Sequence, residues 1–163
     1  YLKRDSFQGR PVVPFEDLEQ HYSPKEFRLF APMSGSAMNK NREKIYLEGK
    51  KKGYDFISYV SSKATKFNNK IGENCFILED NTLQPFTHIG NNVVIYPGAR
   101  FLGGVVIGDY SLIGANCVVT RDVPSKSIMM TPPSRVIPRS LSPVARRSDQ
   151  TSIGGDEPVQ PKG

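Results

Sequence analysis

Tryptophan is absent, and cysteine and histidine each occur only twice in 163 residues. Each scarcity removes a class of function. So few thiols and imidazoles, with no Cys/His spacing of the zinc type, lead us to expect no metal. No apolar run approaches the ~20 residues of a membrane helix, and no basic-then-apolar leader opens the chain. The expectation is a cytoplasmic protein with no membrane span. The chain opens on Tyr1 rather than Met and reads as a piece of a longer protein. Acidic residues are outnumbered, 16 against 22 Lys and Arg, for a formal net charge of +6. Much of the excess sits in Lys40, Arg42, Lys44 and the run Lys50-Lys51-Lys52, which reads as a solvated helix face. Aromatic and basic residues do not interleave as they do on RNA-binding sheets, so nucleic acid is not an expected partner.

The first third is broken by proline and mixed in character. Residues 26–31 alternate well enough for a strand. Ser36 can cap a helix over about 37–52, which Gly53 ends, with lysines gathered where the helix dipole favours cations. A second strand is expected over 55–60. Strand, helix and strand make a βαβ unit, the smallest piece of a parallel sheet.

From residue 71 the sequence divides without gaps into hexamers: IGENCF, ILEDNT, LQPFTH, IGNNVV, IYPGAR, FLGGVV, IGDYSL, IGANCV and VTRDVP. Every first residue is large and apolar, and no fifth residue is bulky or charged. The fifth residue of one hexamer lies two places before the first of the next, so both point to the same side of a strand. Each hexamer thus supplies one large and one small inward group and then turns. Coils of such short sides can close and stack, burying the large residues in a narrow column.

These hexamers resemble those of the hexapeptide-repeat acyltransferases. The resemblance implies a mainly β chain, a left-handed parallel β-helix of three to four coils with three hexamers per coil, assembled as a homotrimer. Residues 30–92, with Met38-Asn39-Lys40-Asn41-Arg42, Lys52-Gly53-Tyr54 and Ile71-Gly72-Glu73-Asn74-Cys75-Phe76-Ile77, are similar to sugar O-acyltransferases of the sialic-acid O-acetyltransferase type. In those proteins a small Rossmann-like domain that can hold a nucleotide sugar precedes the β-helix. Its usual Gly-rich first turn is missing here. Residues 96–137, from Tyr96-Pro97-Gly98 to Ser134-Arg135-Val136-Ile137, are similar to the last coils of serine and polysaccharide acetyltransferases, although Thr131-Pro132-Pro133 stands where those carry Gly-x-Pro. The expected organisation is a partial α/β domain over 1–60, a β-helix over 61–137 and a disordered tail over 138–163.

The resemblance implies acetyl-CoA as co-substrate and a sugar or nucleotide sugar as acceptor. A thioester is already activated, so transfer needs chiefly a base for the acceptor proton, donors for the oxyanion and close alignment. Relatives use a histidine, and their His-rich coils are absent between Ile95 and Gly108. His88 is the last residue of its hexamer and next to inward Ile89, so it faces outward and is the candidate base. His21, beside Tyr22, is the weaker candidate. For the cofactor, Gly114 and Ala115 offer backbone amides to the pantetheine arm, and Arg121, Lys126 and Arg135 offer charge to its phosphates. Cys75 and Cys117 both occupy small inward places seven hexamers apart, too far to bridge, and are expected to be reduced. The competing reading is a shortened β-helix that trimerises or binds without catalysis.

Overall fold

Three hexamers carry the chain once around a prism, so strands of one side recur every eighteen residues. The computed structural model describes residues 5–33 and 39–132. Thr65–Lys66, Thr82–Leu83, Arg100–Phe101 and Val118–Val119 stack in parallel as one side, here called the Leu83 side. Lys70–Ile71, His88–Ile89 and Val106–Ile107 form the Ile89 side. Tyr59–Val60, Phe76–Ile77, Val94–Ile95, Leu112–Ile113 and Ile128–Met129 form the Ile95 side. The result is a parallel β-helix of about four coils. Its periodicity slips at both ends: Tyr59 pairs with Phe76, seventeen residues on, and Leu112 with Ile128, sixteen on. Coil formation therefore extends beyond the hexamers on both sides.

The inward pattern follows the sequence closely. Eight of the nine first residues are buried and Ile71 is half-buried, while all nine fifth residues are buried. Ile77, Ile95 and Ile113 lie directly above one another. The small polar inward groups are satisfied by backbone, as burial requires. Asn81 donates to Leu78 O at 2.9 Å and accepts from Ala99 N at 2.8 Å, and Ser111 donates to Pro124 O at 2.9 Å. Cys75 and Cys117 are free and buried, and burial pushes both thiols up in pKa.

Two further positions of the hexamer have physical causes. After inward Ile71, Ile89 and Ile107 stands glycine, because the next coil leans back over it. Asn91 Oδ1 accepts from Glu73 N at 2.8 Å and Asp109 Oδ1 from Asn91 N at 2.6 Å. A Cβ on Gly90 would lie 2.3 Å from Asp109 Oδ1 and 2.9 Å from Asp109 N. Gly90→Ala is therefore expected to destabilise the fold by about 2 kcal/mol or more, read by urea denaturation. An unchanged midpoint would show that the carboxylate swings away without cost. At the fourth position the backbone is left-handed in eight successive hexamers, from Asn74 (φ 51) to Asn116 (φ 57). Asn, Asp and Gly, which tolerate this region, fill six of them. Phe86 (φ 64) and Tyr110 (φ 62) are the exceptions, and a strained residue of this kind costs on the order of 1–3 kcal/mol.

Before the coils, a hairpin pairs Ser6–Phe7 with Arg10–Pro11, a short helix spans Leu18–His21, and a longer one spans Lys40–Lys51. The expected βαβ unit survives only in outline. Residues 26–31 and 55–60 meet at one parallel bridge, Leu29 with Phe56, and Tyr59–Val60 is already the first strand of the β-helix. Ser36 lies outside the described residues. The long helix instead follows Asn39, itself left-handed at φ 68, and ends at Gly53, φ 87.

The basic helix is not a uniformly solvated face. Asn39, Arg42, Tyr46 and Gly49 form a buried stripe against the corner between the Ile89 and Ile95 sides. Asn39 Nδ2 donates to Asn92 O at 2.9 Å, Arg42 donates to the carbonyls of Ala31 and Asn74, and Tyr46 OH donates to Glu73 Oε2 at 3.0 Å. The Arg42 guanidinium also sits over Phe30 and Phe76, 5.6 and 5.9 Å from their centroids. Burial lowers its pKa to about 10, so it remains charged at neutral pH. Lys44 pairs with Glu48, Lys50 with Asp55 and Glu73, and Lys52 with Glu19. Among the described residues no helix is long and apolar enough to cross a membrane.

Candidate functional site

His88 is fixed by the ladder on either side of it. It pairs in register with Lys70 on the coil below and Val106 on the coil above, and donates its backbone N–H to Val105 O at 2.9 Å. Its inward neighbour Ile89 is buried and its own side chain is exposed. Alternation thus turns the imidazole out of the prism, as the hexamer register requires.

The chain reaches His88 through the turn Gln84-Pro85-Phe86-Thr87, closed by Thr87 N donating to Gln84 O at 3.3 Å. Proline followed by a left-handed residue is a type II turn, which favours glycine in the second place. Pro97-Gly98 fills that pattern one hexamer pair later, whereas here the residue is Phe86. Phe86 is 80% exposed. Phe67, Asn68, Lys70, Pro85, Phe86 and His88 line a cleft of about 370 Å³. Asn69 ties together two of the backbone segments that line it: Nδ2 donates to Gln84 O at 2.8 Å and Oδ1 accepts from Phe67 N at 2.8 Å.

Above this cleft the same corner loses its side chains. Gly103 and Gly104 occupy the equivalents of Pro85 and Phe86 one coil up, and a Cβ on Gly104 would meet nothing within 4 Å. A further coil up stands exposed Arg121, about 10 Å from the level of Pro85 at the usual strand spacing. His88 at the bottom, a bare backbone shelf and Arg121 at the top share one corner, between the Leu83 and Ile89 sides.

The other sequence candidates fall elsewhere. Gly114 and Ala115 lie on the corner between the Ile95 and Leu83 sides. The Gly114 N–H is committed to Met129 O at 2.7 Å, and exposed Ala115 accepts at its carbonyl from Thr131 Oγ1 at 3.2 Å. Lys126 lies on the third corner, bonded to Glu43 at 2.8 Å and 5.3 Å from the centre of the Tyr110 ring. Its bond to Glu43 raises its pKa. His21 ends the short helix Leu18–His21 and is exposed. Arg135 and the expected tail over 138–163 lie outside the described residues. Among the described residues there is no group of three or more His, Cys, Asp and Glu placed to hold a metal.

What sequence reasoning missed is the ring of Phe86, the brace by Asn69 and the shelf at Gly103-Gly104. The first had a legible signal, since the fourth hexamer position otherwise reads Asn, Asp or Gly in all but one other turn.

The family described as bacterial transferase hexapeptide (six repeats) matches residues 70–101 and 86–121. A serine acetyltransferase of Synechococcus elongatus is 40% identical over 78 residues, covering 43% of this chain and 32% of the relative. A serine acetyltransferase of Mycobacterium tuberculosis is 42% identical over 52 residues, covering 32% of this chain and 23% of the relative. The chain thus spans a third or less of either relative's length. Among solved structures, the acetyltransferase domain of PglB from Neisseria gonorrhoeae superimposes with a TM-score of 0.58 at 19% identity, covering 80% of this chain and 76% of that one. A perosamine N-acetyltransferase variant from Caulobacter crescentus, in complex with CoA and GDP-perosamine, gives 0.55 at 16% identity, covering 77% of this chain and 76% of that one. At these identities the structural likenesses speak for the fold.

Proposed function

The repeat region belongs to the hexapeptide-repeat acyltransferase superfamily, and from that premise we propose that this chain transfers acetyl from acetyl-CoA to a hydroxyl or amino group of a sugar or nucleotide sugar. The observation that carries the reading is the outward His88 at the mouth of a cleft, on the corner that Arg121 shares. The serine acetyltransferase relatives support the donor, and the CoA and GDP-perosamine bound by the Caulobacter enzyme support a nucleotide-sugar acceptor.

In the proposed step the neutral His88 imidazole takes the acceptor proton as the acceptor oxygen or nitrogen attacks the thioester carbonyl. The tetrahedral intermediate then expels CoA as thiolate, which recovers the proton from the imidazolium. Arg121 holds a phosphate of CoA, and the shelf at Gly103-Gly104 lets the pantetheine arm lie against backbone. Gly114 and Ala115 enter only across a subunit boundary. A homotrimer, whose interfaces join two different sides of neighbouring prisms, would turn their corner toward the next subunit's His88. Ala115, an exposed residue, then makes the contact that Gly114 cannot make. Arg135 is retained as a candidate for the same phosphates.

Acetyl-CoA is expected to raise the melting temperature, because a ligand bound only by the folded state at a hundredfold excess over its Kd adds about 2.7 kcal/mol. That corresponds to several degrees in a chain of this size. The absence of any shift at millimolar acetyl-CoA would favour a silent scaffold.

A further inference from the structure

Two aromatic residues of the β-helix occupy left-handed turns that other coils give to Asn, Asp or Gly, and the fold uses only one of them. Tyr110 packs edge-on against Tyr46, 6.2 Å between centroids, and carries Lys126 over its face. Its strain is offset by the docking of the long helix. Phe86 has the same backbone strain and, among the described residues, no aromatic or cationic partner, and the residue is 80% exposed at the lining of the cleft. Phe67, 46% exposed, stands in the wall beside it, and Asn69 fixes the two backbones relative to each other. Glycine would satisfy the type II turn without strain, as Gly98 does after Pro97. Backbone strain at a solvent-facing residue that the fold does not use points to a functional role for the position.

We infer that Phe86, with Phe67, is the platform on which the pyranose ring of the acceptor lies, its apolar C–H face against the phenyl ring and one hydroxyl or amino group directed at His88. The polar groups of the cleft suit that ligand. Asn68 can donate to and accept from ring hydroxyls, and the exposed Lys70, one coil below His88, offers charge to an anionic substituent such as the phosphate of a nucleotide sugar. A bare phosphate would need no rings, and an apolar peptide would leave Lys70, Asn68 and His88 without partners. The word acceptor rests on the acetyl-transfer reading, whereas the platform itself does not.

Methyl β-D-glucopyranoside is a suitable probe, because H1, H3 and H5 all lie on one face. With the unmodified chain, saturation-transfer NMR at tens of millimolar is expected to mark those three protons above the others. Phe86→Gly should reduce that saturation about fivefold while raising the melting temperature by about 2–4 °C through relief of the turn. Equal saturation in the two forms, or none in the unmodified chain, would overturn the platform. A fall in melting temperature or in oligomer size for Phe86→Gly would do so too, by making the ring a subunit contact. CoA, probed separately, should be saturated equally in both forms. Its failure to bind, with the sugar result intact, would sink acetyl transfer and leave the platform standing.

Discussion

His88→Ala is expected to lower acetyl transfer by about a hundredfold or more while acetyl-CoA still raises the melting temperature. The size follows from what a positioned base contributes when the thioester is already activated and the remaining work is alignment. The imidazole reaches solvent from a strand pinned above and below, so its loss removes a proton acceptor without opening a cavity. Stability should change by less than about 0.5 kcal/mol, as for exposed positions generally. A steady-state assay of thiol release against the acceptor, run beside a thermal melt with acetyl-CoA, separates chemistry from binding. Turnover within a few-fold of the unmodified chain would remove His88 from the reaction.

The second large effect is structural. Arg42→Ala should destabilise the fold by about 3 kcal/mol or more, because two buried carbonyls, on Ala31 and Asn74, lose a charged donor worth ~1.5–3 kcal/mol each. The same guanidinium packs over the Phe30 and Phe76 rings, so truncation also removes buried packing. Arg42→Lys should recover only part of the loss, since an ammonium cannot present two parallel donors to two carbonyls. Guanidinium denaturation would give the stability, and hydrogen exchange across Lys40–Lys51 would show the helix opening ahead of the coils. A loss under about 1 kcal/mol would mean that the fold closes over the site with no need of the charge. A buried cation without a carboxylate is held here by two carbonyls and two aromatic rings, which replace part of the water it gives up, while its Nε is left without a partner among the described residues.

These two residues show how unevenly the sequence could be read. His88 was placed correctly by alternation alone, because a strand turns adjacent side chains to opposite sides whatever surrounds it. Arg42 was read with the solvated lysines of its helix. Its spacing to Asn39, Tyr46 and Gly49 was visible as a stripe, but the stripe is polar, and only an apolar stripe announces burial. The separation of the cofactor candidates was hidden for a related reason. Gly114, Arg121 and Lys126 lie within thirteen residues of one another, yet the chain turns through three corners in that span, so nearness in sequence sends them to three separate edges.

What the sequence determined by itself is the prism. Large residues at every sixth place, small ones two places before them, and Gly, Asn or Asp at the turns state the geometry of a coil, because each coil contacts only copies of the same pattern above and below. Tertiary structure alone decided which corner each polar group occupies, that a guanidinium rather than a leucine fastens the helix, and that Phe86 faces water while Tyr110 does not. Those outcomes depend on pairs such as Arg42 with Asn74 and Tyr46 with Tyr110. They join segments outside the repeat to its edges, and no period in the chain encodes such a meeting.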